Sequence, residues 1–173
     1  MRIEIRKWLT MTVAALAMFG YSAAACAASG AFEKSFAVDG DAVVDVSNLK
    51  GSVVVRGGDV DKVTIRARIT VDKRYARTDP LKAGKLIGEI KRSPPIEAAG
   101  NQVTVGELEK HSHRRYASIS YEILVPREAS VSVHSVSGDV RVSGIIGEVN
   151  ATSDTGDVTV ADSGSASSTR SSS

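Results

Sequence analysis

The residues after Pro126 repeat with a fixed step. Gly138-Asp139-Val140-Arg141-Val142, Gly147-Glu148-Val149-Asn150-Ala151 and Gly156-Asp157-Val158-Thr159-Val160 begin nine residues apart, and Ala129-Ser130-Val131-Ser132-Val133 occupies the preceding step. Within each unit apolar and polar residues alternate, which sends every second side chain to one face of an extended chain. Nine residues leave room for a short strand and a tight turn and little else. The match sharpens at twice the step, where Ser135, Ser137, Gly138, Asp139, Val140 and Val142 correspond to Ser153, Thr155, Gly156, Asp157, Val158 and Val160. An eighteen-residue coil of two strands is predicted, stacked in parallel with equivalent residues roughly 4.8 Å apart and a Val ladder buried between two sheets. That is a β-solenoid, or β-helix-like stack. An antiparallel meander stays open as the alternative, because nine residues also fit a strand plus a hairpin turn.

The same alternation runs through the earlier chain, in residues 42–46, 52–55, 63–71, 102–105 and 118–125. Gly40, Gly51, Gly57, Gly58 and Gly100 punctuate these strands as turn residues, and Pro126 stops the last of them because it lacks a ladder N–H. One segment departs from the pattern. Asp79 followed by Pro80, with Leu86, Ile87 and Ile90 spaced for one face, predicts a single short helix near residues 80–92, weakened by Gly84 and Gly88 and ended by Ser93-Pro94-Pro95. The fold class expected is therefore all-β with one short helix.

Residues 1–27 read as a signal peptide. Arg2, Arg6 and Lys7 precede an uncharged run rich in Ala, Leu, Met and Val, diluted by Thr10, Thr12, Gly20, Tyr21 and Ser22 and closed by small residues. Ala25 and Ala27 suit ordinary cleavage before Ala28. Lipidation of Cys26 is the competing outcome, with Ala23 standing where a lipoprotein signal normally has a large aliphatic residue. Ordinary cleavage leaves a chain without cysteine, so no disulfide assists the fold in an oxidising compartment. It also removes three basic residues and one acid, taking the formal charge from +2 to 0. A global attraction to polyanions does not survive that neutrality. The expected location is periplasm, cell envelope or secreted.

Taken together, these residues resemble a bacterial exported family of β-strand-repeat, adhesin-like proteins whose domain is of unknown function. The opening is similar in its aromatic-led strand, Phe36-Ala37-Val38, and in Asn48-Leu49-Lys50-Gly51-Ser52-Val53-Val54-Val55. The closer likeness is the succession from Tyr121 through Val125-Pro126 to Val133, followed by Ser137-Gly138-Asp139-Val140. The resemblance spans about residues 32–162 and implies a β-solenoid-like fold and an envelope or surface location, with no catalytic residues to carry over. Similar proteins usually continue with further Gly-Asp-Val repeats, whereas here residues 163–173 are Ser-rich. That tail is expected to be disordered, and a truncated or frameshifted product is the expectation that follows. The domain expected is residues 28–162, with the nine-residue repeats at 129–162.

Few residues suggest chemistry. His111 and His113 could put two imidazoles on one face, but a metal site needs more ligands, His134 is the only other histidine, and Arg114 and Arg115 oppose a cation. A solvated loop is the expected role. Asp139 and Asp157 would stack in a coil, with Glu148 on the other sheet, and could hold a hard cation; after a turn glycine, Asp more commonly bonds nearby backbone donors. No metal and no cofactor is expected. From Lys62 to Arg92 ten basic residues face three acids. Within that run Lys73, Arg74, Arg77, Lys82 and Lys85 form a candidate polyanion-binding patch, whose plainer reading is a solvated face. No Gly-x-Ser-x-Gly elbow, phosphate loop or His-Glu-x-x-His motif occurs, and no catalytic residue is named.

The function expected is a non-enzymatic envelope or surface module, adhesin-like, binding an envelope glycan, anionic lipid or protein. Nucleic acid is not an expected partner, and membrane contact would come through Cys26 lipidation or the basic patch. A carbohydrate-active β-helix enzyme and a ligand-free structural scaffold are the rival readings.

Overall fold

A computed structural model describes residues 28–170. The signal peptide expected at residues 1–27 and the lipidation considered at Cys26 lie outside these residues. Twelve strands and three helices are present among them. The chain begins with β1 (Ser29–Ala37), β2 (Val43–Lys50), β3 (Val53–Gly58) and β4 (Lys62–Val71). Two helices follow, α1 (Lys73–Thr78) and α2 (Pro80–Arg92), and then a hairpin of β5 (Ile96–Ala99) and β6 (Gln102–Val105). After α3 (His111–Tyr116) come β7 (Ala117–Pro126), β8 (Ser130–Ser137), β9 (Val140–Ser143), β10 (Glu148–Thr155), β11 (Val158–Ala161) and β12 (Ser165–Arg170).

The strands form two six-stranded mixed sheets, β1-β4-β7-β3-β9-β11 and β12-β10-β8-β2-β6-β5. The all-β expectation holds, and the solenoid expectation does not. β4 pairs antiparallel with both β1 and β7, β5 pairs antiparallel with β6, and neither sheet is a single stack of parallel coils. The physical reason lies in the segment between β4 and β7. Two helices and a hairpin intervene there, and the chain returns in the opposite direction over the register Thr64↔Leu124 to Val71↔Ala117. Parallel pairing is confined to part of each sheet. There the eighteen-residue correspondence becomes register, with Val131↔Val149 between β8 and β10 and Val140↔Val158 between β9 and β11.

Alternation sets the core. Val44, Val46, Val131, Val133, Val149 and Ala151 point inward from one sheet and Val53, Val55, Ile65, Ile69, Ile123 and Val140 from the other, all buried. Their partners in the alternation, such as Arg66, Glu122, Ser132 and Arg141, face solvent. Where the chain crosses between sheets, Gly51, Gly138 and Gly156 stack. Gly138 has φ +148°, and a Cβ on it would lie 2.2 Å from the Gly51 carbonyl oxygen. Beside this turn runs a buried polar row, Asn48↔Ser135↔Ser153. The Asn48 amide donates to the carbonyls of Gly51 at 2.8 Å and Ile119 at 3.1 Å, and the Ser153 hydroxyl donates to that of Gly138 at 3.1 Å.

The helix expected near residues 80–92 is α2. The Asp79 carboxylate caps it by accepting from the Lys82 N–H at 3.0 Å, Pro80 fills its first turn, and Ala83, Leu86 and Ile90 are its buried face. Ile87 presses α2 onto β1, its Cγ2 lying 2.5 Å from where a Cβ on Gly30 would stand. Two further helices were not expected. α1 starts where the Asp72 carboxylate accepts from the N–H groups of Arg74 and Tyr75, at 2.9 and 3.0 Å. The third, α3, replaces the loop expected around His111 to Arg115. Residues 165–170, expected to be disordered, form β12, which pairs in parallel with β10 through backbone groups. Backbone pairing needs no apolar side chain, so composition did not reveal it.

Candidate functional site

The five cations of the expected patch gather on the two consecutive helices. Lys73, Arg74 and Arg77 lie on α1, Lys82 and Lys85 on α2, and all five are exposed. The cause is the amphipathic pattern of α2, whose apolar positions face the sheets and leave the charged ones outward. Lys82 is held by Asp79, with Nζ 2.8 Å from Oδ2. Their hydrogen bond lowers the Asp79 carboxyl's pKa and raises that of the Lys82 ammonium. Among the described residues Lys73, Arg74, Arg77 and Lys85 make no ion pair. Their charge is available to a partner.

Beside this patch is an open cleft of about 290 Å³, formed where the end of β2, the β4–α1 joint and the α3–β7 joint meet. Lys50, Lys73 and Arg115 contribute to its walls, with Thr70, Asp72 and Ser118. The joint is held by the Asp72 N–H donating to the Tyr116 carbonyl at 2.8 Å. Tyr75 of α1 stacks on Tyr116 with ring centroids 4.0 Å apart and planes 11° from parallel. The Arg115 guanidinium sits 5.5 Å from the Tyr116 ring centre, within cation–π range. Sequence reading placed Lys73 in the patch and took Arg115 only as a charge opposing a metal at His111 and His113; nothing in it brought Lys50, Arg115 and Tyr116, far off in the chain, to Lys73. The signal for Arg115 and Tyr116 was a basic pair, Arg114-Arg115, next to an aromatic residue.

The histidines do not assemble. His113 is 8% exposed and turns onto α2, its Nε2 3.2 Å from Glu89 Oε2, while Lys110 Nζ approaches the same oxygen at 2.8 Å. The Lys110 hydrogen bond leads the effects that hold the Glu89 carboxyl below its usual range, and His113 adds to it. His111 and His134 are exposed, on α3 and β8 respectively. Among the described residues no group of three His, Cys, Asp or Glu side chains is placed to hold a metal. Asp139 serves its turn, accepting from the Asp157 N–H at 3.2 Å and from Arg141 Nη2 at 3.3 Å, and Glu148 is exposed on the other sheet.

The outer face of the β1-β4-β7-β3 region carries two adjoining grooves of about 340 and 420 Å³. Glu33, Arg66 and Glu122 align across it in register, and Arg66 Nε donates to Glu33 Oε2 at 2.9 Å. The ladder sets one cation against two carboxylates, and Arg56, Lys62 and Arg68 also line the grooves, so charges of both signs mix on this face, whereas the exposed patch on α1 and α2 is of one sign. No described helix is long and apolar enough to cross a membrane.

No family model matches this chain, and no curated protein matches it. A solved structure described as a "putative cell adhesion protein" from Clostridium sporogenes superposes on 82% of this chain and 99% of its own, with 8% sequence identity and a TM-score of 0.38. A superposition that loose leaves any functional reading to rest on the geometry of this chain.

Proposed function

We propose that this is a non-enzymatic cell-envelope or surface binding module of adhesin-like type, engaging an anionic envelope glycan or lipid through the basic face of α1 and α2. The observation that carries the reading is the segregation of charge. A chain with formal charge 0 after residue 27 concentrates Lys73, Arg74, Arg77, Lys82 and Lys85 on one pair of exposed helices, and only Lys82 is ion-paired there among the described residues. Such a patch attracts a polyanion over roughly a Debye length of 8–10 Å, and the attraction weakens with salt. The mixed sheets serve as a rigid platform that holds the helices in place. The test is binding of the purified protein to anionic vesicles and to an acidic polysaccharide. Replacing Lys73, Arg74 and Arg77 together by Gln is expected to abolish most of that binding and its salt dependence. Undiminished binding by the triple variant refutes the reading, as does degradation of the polysaccharide by the protein.

A further inference from the structure

The cleft beside the patch has a more particular character than the helical face. Three cations, Lys50 from the end of β2, Lys73 from α1 and Arg115 from α3, line it from three separate elements. None of the three makes an ion pair among the described residues. The one carboxylate in the wall, Asp72, is occupied with the N–H groups of Arg74 and Tyr75. The hydroxyls of Thr70 and Ser118 are also in the wall, as neutral groups that can donate to an oxyanion. The Arg115 guanidinium lies over the Tyr116 ring, which itself stacks on Tyr75, and its planar fork is pre-organised to engage an anion.

We propose that this cleft binds a phosphomonoester group, carried by a phosphorylated glycan or by a lipid headgroup. The charge count selects the class. Three cations against Asp72 leave an excess of two positive charges, whereas a phosphomonoester carries about −1.5 to −2 at pH 7. A single carboxylate would leave the cleft under-neutralised. Arg115 supplies the bidentate fork, Lys50 and Lys73 supply point charges from either side, and Ser118 and Thr70 donate to the remaining oxygens. The proposal rests on the binding-module reading above and assigns it a ligand class.

The test is a heteronuclear NMR titration of the purified protein with inorganic phosphate and glucose 6-phosphate, with chloride at matched ionic strength as control. Shifts centred on Lys50, Asp72, Lys73, Tyr116 and Ser118 are expected. Arg115→Gln and, independently, Lys50→Gln should each weaken binding about tenfold, the equivalent of one lost charge-assisted contact. Arg115→Lys should recover part of the loss, and Lys34→Gln, exposed on β1 and outside both the cleft and the basic helical face, should change little. Equal shifts with chloride, or equal weakening by Lys34→Gln and Arg115→Gln, overturn the proposal. Vesicles containing phosphatidic acid, set against the sugar phosphate, tell a lipid source from a glycan source. If vesicle and polysaccharide binding depends on Arg74 and Arg77 but is indifferent to Lys50 and Arg115, and phosphate gives no localised shifts, the cleft assignment fails while the broader reading stands. Localised phosphate binding without polymer or vesicle binding upholds the cleft and refutes the broader reading.

Discussion

Replacing Gly138 by Ala tests how the two sheets are joined. The added Cβ would lie 2.2 Å from the Gly51 carbonyl oxygen and 2.7 Å from its carbon, and both are backbone atoms that no rotamer change can move. The residue also sits at φ +148°, where an L side chain is strained; such strain costs about 1–3 kcal/mol. Relieving the overlap must part this crossing from its neighbour. That stretches the Gly51 N–H to Ser137 O bond of 3.0 Å and the Val53 N–H to Asp139 O bond of 2.9 Å, each worth about 1 kcal/mol net. The expected loss is about 3–5 kcal/mol, or a fall in Tm of roughly 10–15 °C for a chain of this size. Thermal unfolding followed by circular dichroism measures it. Gly84→Ala is the internal control, because nothing lies within 4 Å of the added Cβ in the middle of α2. It should stabilise the protein by about 0.5–1 kcal/mol. If Gly138→Ala melts within a degree or two of the parent, the stacked crossing does not constrain the fold as described.

Three further outcomes follow from the packing and the polar contacts. Ile65→Ala, at a side chain with 0% exposure, should cost about 2–5 kcal/mol in urea unfolding, and a smaller cost means the two sheets collapse onto the gap. In the buried polar row, Asn48→Ala should cost about 1–3 kcal/mol by losing its bonds to the Gly51 and Ile119 carbonyls, whereas Ser135→Ala should be neutral or stabilising, because the Ser135 hydroxyl is buried without a partner among the described residues; equal losses for the two would show that both are hydrogen-bonded alike. Glu89, whose carboxyl is held below its usual range by Lys110 and His113, contributes stability that is present above the ordinary glutamate pKa of about 4.3 and lost as pH falls through the depressed value. Glu89→Gln should therefore flatten the acid limb of the stability profile, and an unchanged profile would show that the clasp between α2 and α3 carries no linkage.

Parts of this arrangement are readable from short stretches of chain. The nine-residue step and its alternation locate β8 to β11, because a period of two specifies which side chains share a face. The Asp79-Pro80 pair and the spacing of Leu86 and Ile90 locate α2, because capping and amphipathicity are local properties. The hairpin strand β5 escaped notice, since Ile96-Glu97-Ala98-Ala99 is too short to show a period. So did α1 and α3, of six residues each, which are maintained by the Asp72 cap and by the Tyr75–Tyr116 stack and not by strong intrinsic preference. The cationic residues of α1 and α2 were legible as a run, but the cleft was not, because Lys50 and Arg115 join Lys73 only through the meeting of three chain segments.

The strand repeat, met first, thus determined strand length, spacing and inward face by itself, since each depends on neighbours within a few residues. It did not determine the direction of pairing. A backbone ladder satisfies its N–H and C=O groups in either orientation, so the choice passes to longer-range packing. The tertiary structure made that choice: the chain returns antiparallel through β7 against β4, and the repeats pair in parallel beyond it. In doing so it set Lys50, Lys73 and Arg115 around one cleft, a juxtaposition that exists only once both sheets have closed over the common core.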